Sequence, residues 1–356
     1  MVQPARPPAN AFVALSRKIY NPLGFAKGYN FVLFFIFGGA LMGFTLARLQ
    51  YLNFYGIFCA EPEPAAGPAE CFYLAAGVER FGIILHLVTI LPASFLACFQ
   101  FVPAIRHKLM LFHRINGYLV ILLALLATIG AFMITRRSQG GGVETQTALG
   151  LLGVMFLVSL ALAYVNVKRL QLEQHRAWML RAWFYAGSII TLRLILIICA
   201  TIISNHGYYV VRGCDVLEYL IKDVNGTIEL YPACESYFSG ASPDQKAIVV
   251  ANIVDPSSGA EAAAALEMSF GIACWLALAI HAIGVEVYLR LTPIEAERLR
   301  NVSYKRQLEA GMRNPGRAGI TSDRIGDAPK WVPSDELHNR CLCRWVKIGL
   351  FKSRIF

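Results

Sequence analysis

Six apolar stretches of about twenty residues each divide the chain, and polar segments separate them. Each stretch is long enough to cross a hydrocarbon layer of about 30 Å as a helix. None alternates polar and apolar residues with a period of two, so helices are predicted in preference to the strands of a membrane barrel. The predicted spans are residues 31–54, 79–105, 113–135, 147–167, 182–204 and 266–289.

The composition agrees with this pattern. Of the 356 residues, 56% are hydrophobic and only 16% are charged, which excludes an ordinary soluble domain. The predicted fold class is therefore an all-α polytopic membrane bundle of six transmembrane helices. Residues 1–30 form an N-terminal segment, residues 31–291 form the transmembrane domain with long outer loops at 55–78 and 205–265, and residues 292–356 form a basic, partly disordered tail.

The net charge of +10 would suggest a nucleic-acid partner in a soluble protein. In a membrane protein it first indicates that Lys and Arg are distributed unevenly between the two sides of the bilayer. Most Lys and Arg residues fall in the two terminal segments and in the loops on the same side, so both termini are predicted to be cytosolic. The expected partner is the lipid bilayer, and no nucleic acid is expected.

Four cysteines and a glycosylation sequence lie in the predicted outer loops. Cys59 and Cys71 are in the first loop, and Cys214 and Cys234 are in the large loop with the acceptor Asn225. Two disulfides and a glycan are expected there, with the pairing left open. The protein is accordingly predicted to be a glycoprotein of the endoplasmic reticulum or another secretory-pathway membrane. The alternative is four free thiols and an unused sequence.

Three polar residues are predicted to form a centre inside the bilayer. Arg193 lies eleven residues into the fifth predicted span, about 16 Å deep, where a charge is costly. His86 and His281 lie at depths on either side of it, and Glu286 would be the countercharge if the sixth helix faces the fifth. The alternative is that Arg193 bonds to backbone carbonyls and hydroxyls while each histidine is satisfied separately.

A second group of polar residues is predicted at the cytosolic edge. It contains His113 and Arg114 at the start of the third span, and His175, Arg176 and Arg181 at the start of the fifth. Arginines at helix N-termini favour binding of a phosphate, a lipid head group or a carboxylate. Ordinary interfacial anchoring is the alternative.

Four short motifs occur in a specific order: residues 100–106 (QFVPAIR), 113–118 (HRINGY), 175–181 (HRAWMLR) and 191–193 (TLR). Over residues 79–205 the sequence resembles a family of multi-pass membrane proteins known as domain of unknown function 2306. In that family an intramembrane histidine precedes the first motif, as His86 does here. The resemblance to a fungal-type member implies a fold and candidate positions, but no reaction. The long outer loop and basic tail depart from the compact bacterial pattern.

The favoured function is a biosynthetic enzyme that acts on a lipophilic substrate such as a terpenoid, quinone or polyketide. Arg193 would hold a carbonyl or anionic group, and His86 or His281 would move a proton. The resemblance to a family that occurs in filamentous fungi, sometimes beside biosynthetic genes, implies secondary metabolism. No catalytic triad, phosphate-binding loop or dinucleotide motif identifies the reaction.

Two alternatives stay open. The first is a transporter or membrane assembly partner, in which Arg193 binds a transported anion. The second is a haem-b electron carrier, although His86 and His281 differ in predicted depth by about 10 Å, which disfavours a shared haem iron. The cofactor is otherwise unknown, and no metal site is predicted.

Overall fold

The computed structural model describes residues 7–317 and 319–334, which are mainly helical. In this part of the chain, six helices are long and apolar enough to cross a membrane, which confirms the predicted fold class. They are Gly28–Leu52, Gly77–Gln100, Met110–Ile134, Val143–Lys168, Leu172–Ser204 and Gly259–Arg290.

The fifth and sixth of these helices begin earlier than the hydrophobic pattern predicts. They start at Leu172 and Gly259, whereas the apolar runs start at residues 182 and 266. The added segments are rich in Ala, Glu, Gln, Leu and Arg. These residues have high helix propensity, so the helix continues where the apolar composition stops.

The α-helices and strands are numbered in chain order. The long helices are α2 (Gly28–Arg48), α4 (Gly77–Gln100), α6 (Met110–Ile134), α7 (Val143–Lys168), α8 (Leu172–Ser204) and α12 (Gly259–Arg290). The shorter elements are α1 (Ala11–Tyr20), α3 (Glu70–Leu74), α5 (Pro103–Lys108), β1 (Tyr209–Gly213), α9 (Cys214–Ile221), α10 (Val224–Leu230), α11 (Glu235–Phe238), β2 (Lys246–Val250), α13 (Pro293–Glu309) and α14 (Ser322–Ile325).

The chain forms two compact units. Unit 1 contains residues up to Val154 together with Ala186–Ile280, and unit 2 contains Met155–Tyr185 together with the described residues from His281 onward. Helices α2, α4 and α6 therefore belong entirely to unit 1.

Within unit 1, α4 and α6 pack with their backbones almost in contact. A Cβ atom added at Gly130 of α6 would lie 2.6 Å from the carbonyl oxygen of Gly82 and 2.7 Å from the backbone nitrogen of His86. Small residues that allow such close approach are typical of helix contacts in membranes. The two glycines thus determine where His86 lies against α6.

One end of unit 1 carries both disulfides and is called the disulfide end; it consists of residues 53–76, 135–142 and 205–258. Cys59 is bonded to Cys71 and Cys214 to Cys234, each pair with a Cα–Cα distance of 5.6 Å. The prediction of two disulfides is confirmed, and the pairing is now known.

An antiparallel hairpin forms part of the disulfide end. Strands β1 and β2 pair with Tyr209 opposite Val250. Alternate residues of β2 are buried, and Val249 packs in a small core with Cys214, Cys234 and Leu217. The backbone N–H of Ile253 donates to the hydroxyl of Ser204 at the end of α8 (2.8 Å), which joins the hairpin to the helix.

In unit 2, the first part of the predicted tail is an ordered helix. The hydroxyl of Ser303 on α13 donates to Glu173 (2.8 Å), and the amide of Gln307 donates to Gln171 (2.6 Å). All four of these side chains are buried. Their hydrogen bonds explain why a polar sequence packs here, which the charge-rich composition alone did not indicate.

A further ion pair follows α13. Arg300 donates to Asp323 at 2.7 Å, and this bond is the main reason that the pKa of the Asp323 carboxyl falls to about 2. The predicted tail therefore contains packed structure as far as α14. Its remainder, from residue 335, lies outside the described residues.

Candidate functional site

His86 lies on α4 and is half-buried. Its Nδ1 atom is 2.8 Å from the carbonyl oxygen of Ala127 on α6. A carbonyl oxygen can only accept, so Nδ1 carries the proton, and Nε2 keeps its lone pair when the ring is neutral. His86 is thus held in one tautomer, with an acceptor nitrogen that could take a proton or bind a haem iron.

His281 belongs to unit 2 and not to unit 1. Its Nδ1 atom lies 2.7 Å from the carbonyl oxygen of Phe184, which fixes the same tautomer. The structure therefore describes His281 with Phe184. The predicted shared centre of His86, Arg193 and His281 stays a prediction.

Arg193 lies on α8 in unit 1, with its guanidinium carbon 5.6 Å from the ring centroid of Phe270 on α12. The residue is exposed at the protein surface. Among the described residues it makes no hydrogen bond within 3.5 Å and no ion pair within 4.0 Å. A cation on a membrane-spanning helix is thus left accessible to a binding partner.

The expected countercharge of Arg193 is wrong. Glu286 is bonded to Arg181, with Nε–Oε1 at 2.6 Å and Nη2–Oε2 at 3.0 Å. Because α8 begins at Leu172, Arg181 lies inside the helix and can present its planar guanidinium to both carboxylate oxygens. Both residues of this pair lie in unit 2.

Glu70 is the first residue of α3, and the positive charge of Arg193 is one of the influences on the pKa of its carboxyl group. Gln139 lies beside Glu70, because a Cβ added at Gly67 would lie 3.2 Å from the Nε2 atom of Gln139 and 3.5 Å from the Oε2 atom of Glu70. Burial raises the pKa of Glu70, whereas the neighbouring Gln139 and the charge of Arg193 act in the opposite direction.

Gln139 is positioned by an unusual turn between α6 and α7. Gln139, Gly140 and Gly141 all have positive φ angles, at 49°, 76° and 65°. A Cβ at Gly140 would lie 2.4 Å from the Glu267 carboxylate, and one at Gly141 would lie 2.3 Å from the carbonyl oxygen of Arg136. The two glycines are therefore required by both conformation and space.

A second arginine completes this arrangement. The guanidinium carbon of Arg48, at the end of α2, lies 4.7 Å from the ring centroid of Phe44 and 5.6 Å from that of Tyr51. Arg48 and Tyr51 are both within electrostatic range of Arg193. We call this group of residues the arginine cluster: Arg48, Tyr51, Glu70, Gln139 and Arg193. It contains two guanidinium groups and one carboxyl group.

An apolar cavity of about 330 Å³ adjoins the cluster through Tyr51. Its other lining residues are Leu52, Asn53, Phe54, Tyr55, Ile84, Leu87 and Val88. The last three follow the i, i+3, i+4 spacing and share one face of α4. His86 is not among the lining residues, because its ring is directed to α6.

The predicted anion-binding group is divided between the two units. His113 and Arg114 lie in unit 1, and the other three residues lie in unit 2. Arg181 is already paired with Glu286 and stacks on Trp178, with its guanidinium carbon 4.5 Å from that ring centroid.

Two other basic residues of this group, Arg176 and His175, also have local contacts. Arg176 donates to the hydroxyl groups of Tyr288 (3.4 Å) and Thr292 (3.3 Å). The Nδ1 of His175 lies 2.9 Å from the carbonyl oxygen of Ala163. Arg114 is exposed. The role of these residues in binding an anion stays a prediction.

The disulfide end contains a buried ion pair that was not predicted from the sequence. Arg212 of β1 and Glu267 of α12 are bonded through both carboxylate oxygens, and the Nη1–Oε1 distance is 3.2 Å. The side chains are only 5% and 9% exposed. The sequence offers one signal, an acidic residue near the start of an apolar run, but nothing that identifies Arg212 as its partner.

Comparison with known proteins agrees with the resemblance drawn from the motifs. Residues 83–218 match the family described as predicted membrane protein (DUF2306). No curated protein and no solved structure matches the chain. The protein is a multi-pass membrane protein.

Proposed function

We propose that the protein binds a lipophilic small molecule with an anionic or carbonyl head group in unit 1 and transforms it by acid/base chemistry. The supporting observation is that Tyr51 lines an apolar cavity of about 330 Å³ and also lies against Arg48, whose guanidinium carbon is 5.6 Å from its ring centroid. Arg48 in turn acts electrostatically on Arg193. A few polar groups next to an apolar cavity are the usual composition of a site for an amphiphilic ligand.

The charges in the cluster favour a negative ligand. Arg48 and Arg193 supply two guanidinium groups, and Glu70 supplies one carboxyl group. Excess positive charge in membrane-spanning segments is costly, so an anionic head group would be stabilised there. A carbonyl substrate would gain the same stabilisation as negative charge develops on its oxygen during proton transfer.

The substrate classes that fit are terpenoid, quinone and polyketide-like molecules, which combine an extended apolar body with a carbonyl or carboxylate. Their tail would occupy the cavity at Leu87 and Val88, and their head group would reach Arg193 past Tyr51. A role in secondary metabolism is part of this proposal, and a transporter with the same binding site is the second candidate.

Binding can be tested with a pyrene-labelled long-chain alkyl sulfonate, which keeps its charge throughout the accessible pH range. The protein in lipid nanodiscs should bind it, and energy transfer from tryptophan should report the affinity. Arg193→Gln should weaken binding about tenfold, because a charge-assisted hydrogen bond is lost. A neutral pyrene-labelled alcohol should not distinguish the variant from the wild type.

Arg136→Gln is the matched control, because Arg136 is an exposed arginine in the same unit. It should leave sulfonate binding unchanged. Equal sulfonate affinities for wild type and Arg193→Gln would contradict the proposed site. In producing cells, Arg193→Gln at normal abundance should remove a metabolite if the protein is an enzyme, and should alter uptake alone if it is a transporter.

The proposal also places the disulfide end in the lumen of the endoplasmic reticulum or another secretory compartment, with both termini cytosolic. The two disulfides support it, because disulfides persist in oxidising compartments. The exposed side chain of Asn225 supports glycosylation there.

The orientation has a direct test. Asn225→Gln should increase the electrophoretic mobility of the protein by the mass of one glycan, and digestion with an endoglycosidase should give the same shift to the wild type. Asn225 is a better target than Thr227, which is fully buried and donates to the carbonyl oxygen of Asp223. Identical mobilities with and without the endoglycosidase would contradict a glycosylated lumenal loop.

A further inference from the structure

We infer that α1 lies in the plane of the membrane as an interfacial helix and that it inserts an apolar face among anionic lipids. This assignment goes beyond the proposed function, because α1 contains none of the residues of the arginine cluster. Its ten residues make a helix of about 15 Å, which is too short to cross a hydrocarbon layer of about 30 Å. Helix α1 can therefore contact the membrane only at its surface.

Helix α1 exposes a row of large apolar side chains, which we call the apolar stripe: Phe12, Leu15 and Ile19. These residues are 76%, 61% and 58% exposed. Their spacing of three and four residues places them on one face of the helix. A short helix with Phe and Leu on one face and basic residues elsewhere is typical of a helix that lies in the head-group layer.

The packing of Tyr20 places the end of α1 at the edge of the bilayer. Tyr20, the last residue of α1, is buried, and its ring stacks on that of Phe31 in α2, with 6.0 Å between the centroids. A Cβ added at Gly28, the first residue of α2, would lie 3.6 Å from the Tyr20 ring. The 21 residues of α2 span about 31 Å, so its first residues lie at the boundary of the hydrocarbon layer.

The surrounding end of unit 1 carries charge of one sign. We call residues 7–30 and 101–118 the basic end; the backbone N–H of Ala104 donates to the carbonyl oxygen of Leu23 (2.9 Å) and joins the two segments. Both segments contain Lys and Arg but neither Asp nor Glu. Their exposed cations are Lys18, Lys27, Lys108 and Arg114. Such a surface is complementary in charge to anionic lipid head groups.

Lys18 links the charge to the apolar stripe. It follows Leu15 by three residues, so the two side chains are neighbours on the helix surface. When Leu15 enters the apolar layer, the Lys18 ammonium can stay at the level of the lipid phosphates while its methylene groups cover apolar surface. A nucleic acid would pair with the cations but would leave the apolar stripe in water, so an anionic bilayer fits both features and a nucleic acid fits one.

The experiment uses the full chain in nanodiscs of phosphatidylcholine alone or with about one third phosphatidylserine. Leu15→dansylalanine, introduced by amber suppression, places a fluorescent probe in the apolar stripe. Lipids that are brominated in their acyl chains should quench this probe, and the quenching should be stronger in the nanodiscs that contain phosphatidylserine. Ala14→dansylalanine places the same probe on a different face of α1 and should be quenched less.

Two lysine variants of the labelled protein test the role of charge. Lys18→Gln should lower the ratio of inserted to uninserted α1 about fivefold in the nanodiscs that contain phosphatidylserine. Lys246→Gln is the matched control, because Lys246 is an exposed lysine at the disulfide end of the same unit, and it should leave the quenching unchanged.

Three outcomes would contradict the inference. Absence of quenching at position 15 in both kinds of nanodisc would show that the apolar stripe lies in water or against another protein. Equal quenching at positions 14 and 15 would exclude an inserted face. Equal quenching at position 15 with and without phosphatidylserine would overturn the assignment to anionic lipids.

Discussion

Replacement of Glu267 by Ala should lower the free energy of unfolding by about 3–5 kcal/mol. The substitution leaves the guanidinium of Arg212, which is only 5% exposed, without its anion. The cost comes mainly from the uncompensated buried charge, and not from the strength of the pair itself. Unfolding in bicelles by increasing fractions of dodecyl sulfate, followed by circular dichroism, would measure the change.

Two further variants separate the cost of an unpaired buried charge from a general effect of substitution at this end of unit 1. Glu229→Ala removes an exposed acid from the same end of unit 1 and should change the free energy of unfolding by less than about 0.5 kcal/mol. The double variant Arg212→Met with Glu267→Leu removes both charges and should recover most of the loss. A double variant as unstable as Glu267→Ala would show that the pair stabilises the fold by its own attraction.

Removal of the Cys214–Cys234 disulfide should cost about 3 kcal/mol. The two cysteines are separated by 20 residues, and closing a loop of this size reduces the entropy of the unfolded chain by about that amount. Both cysteines are fully buried in the small core of the disulfide end. Replacement of both by Ser should therefore speed proteolysis within residues 205–258 under non-reducing conditions.

Cys199→Ser is the control for a generic effect of losing a thiol, because Cys199 is a free, half-buried cysteine on α8. It should be cleaved at the wild-type rate. If the double variant were also cleaved at that rate, the hairpin and its hydrogen bond to Ser204 would be sufficient to hold the segment in place.

The elements that the sequence predicted depend on interactions local to each segment. Span length follows from the thickness of the bilayer, so an apolar run of about twenty residues is informative by itself. A disulfide was also predictable from local sequence, because Cys59 and Cys71 lie in the same short outer loop. The extra turns of α8 before residue 182 were not predicted, because they depend on helix propensity and packing and not on apolar composition.

The arrangement of residues in the candidate site could not be predicted from local sequence. Glu70 and Arg193 are far apart in the sequence, and Glu70 belongs to a helix of only five residues with no periodic signal. The prediction for Glu286 used its depth together with the assumption that the sixth helix faces the fifth. Depth cannot distinguish Arg193 from Arg181 when the start of α8 is misjudged.

The turn between α6 and α7 is a poor place to insert a reporter. A side chain at Gly140 or Gly141 would clash with a neighbouring group, and a side chain at Gly142 would clash with the Glu144 carboxylate. An epitope or fluorophore inserted there would move Gln139 away from Glu70 and disrupt the arginine cluster. The exposed stretch at residues 61–63 is the better place for a tag at this end of the protein.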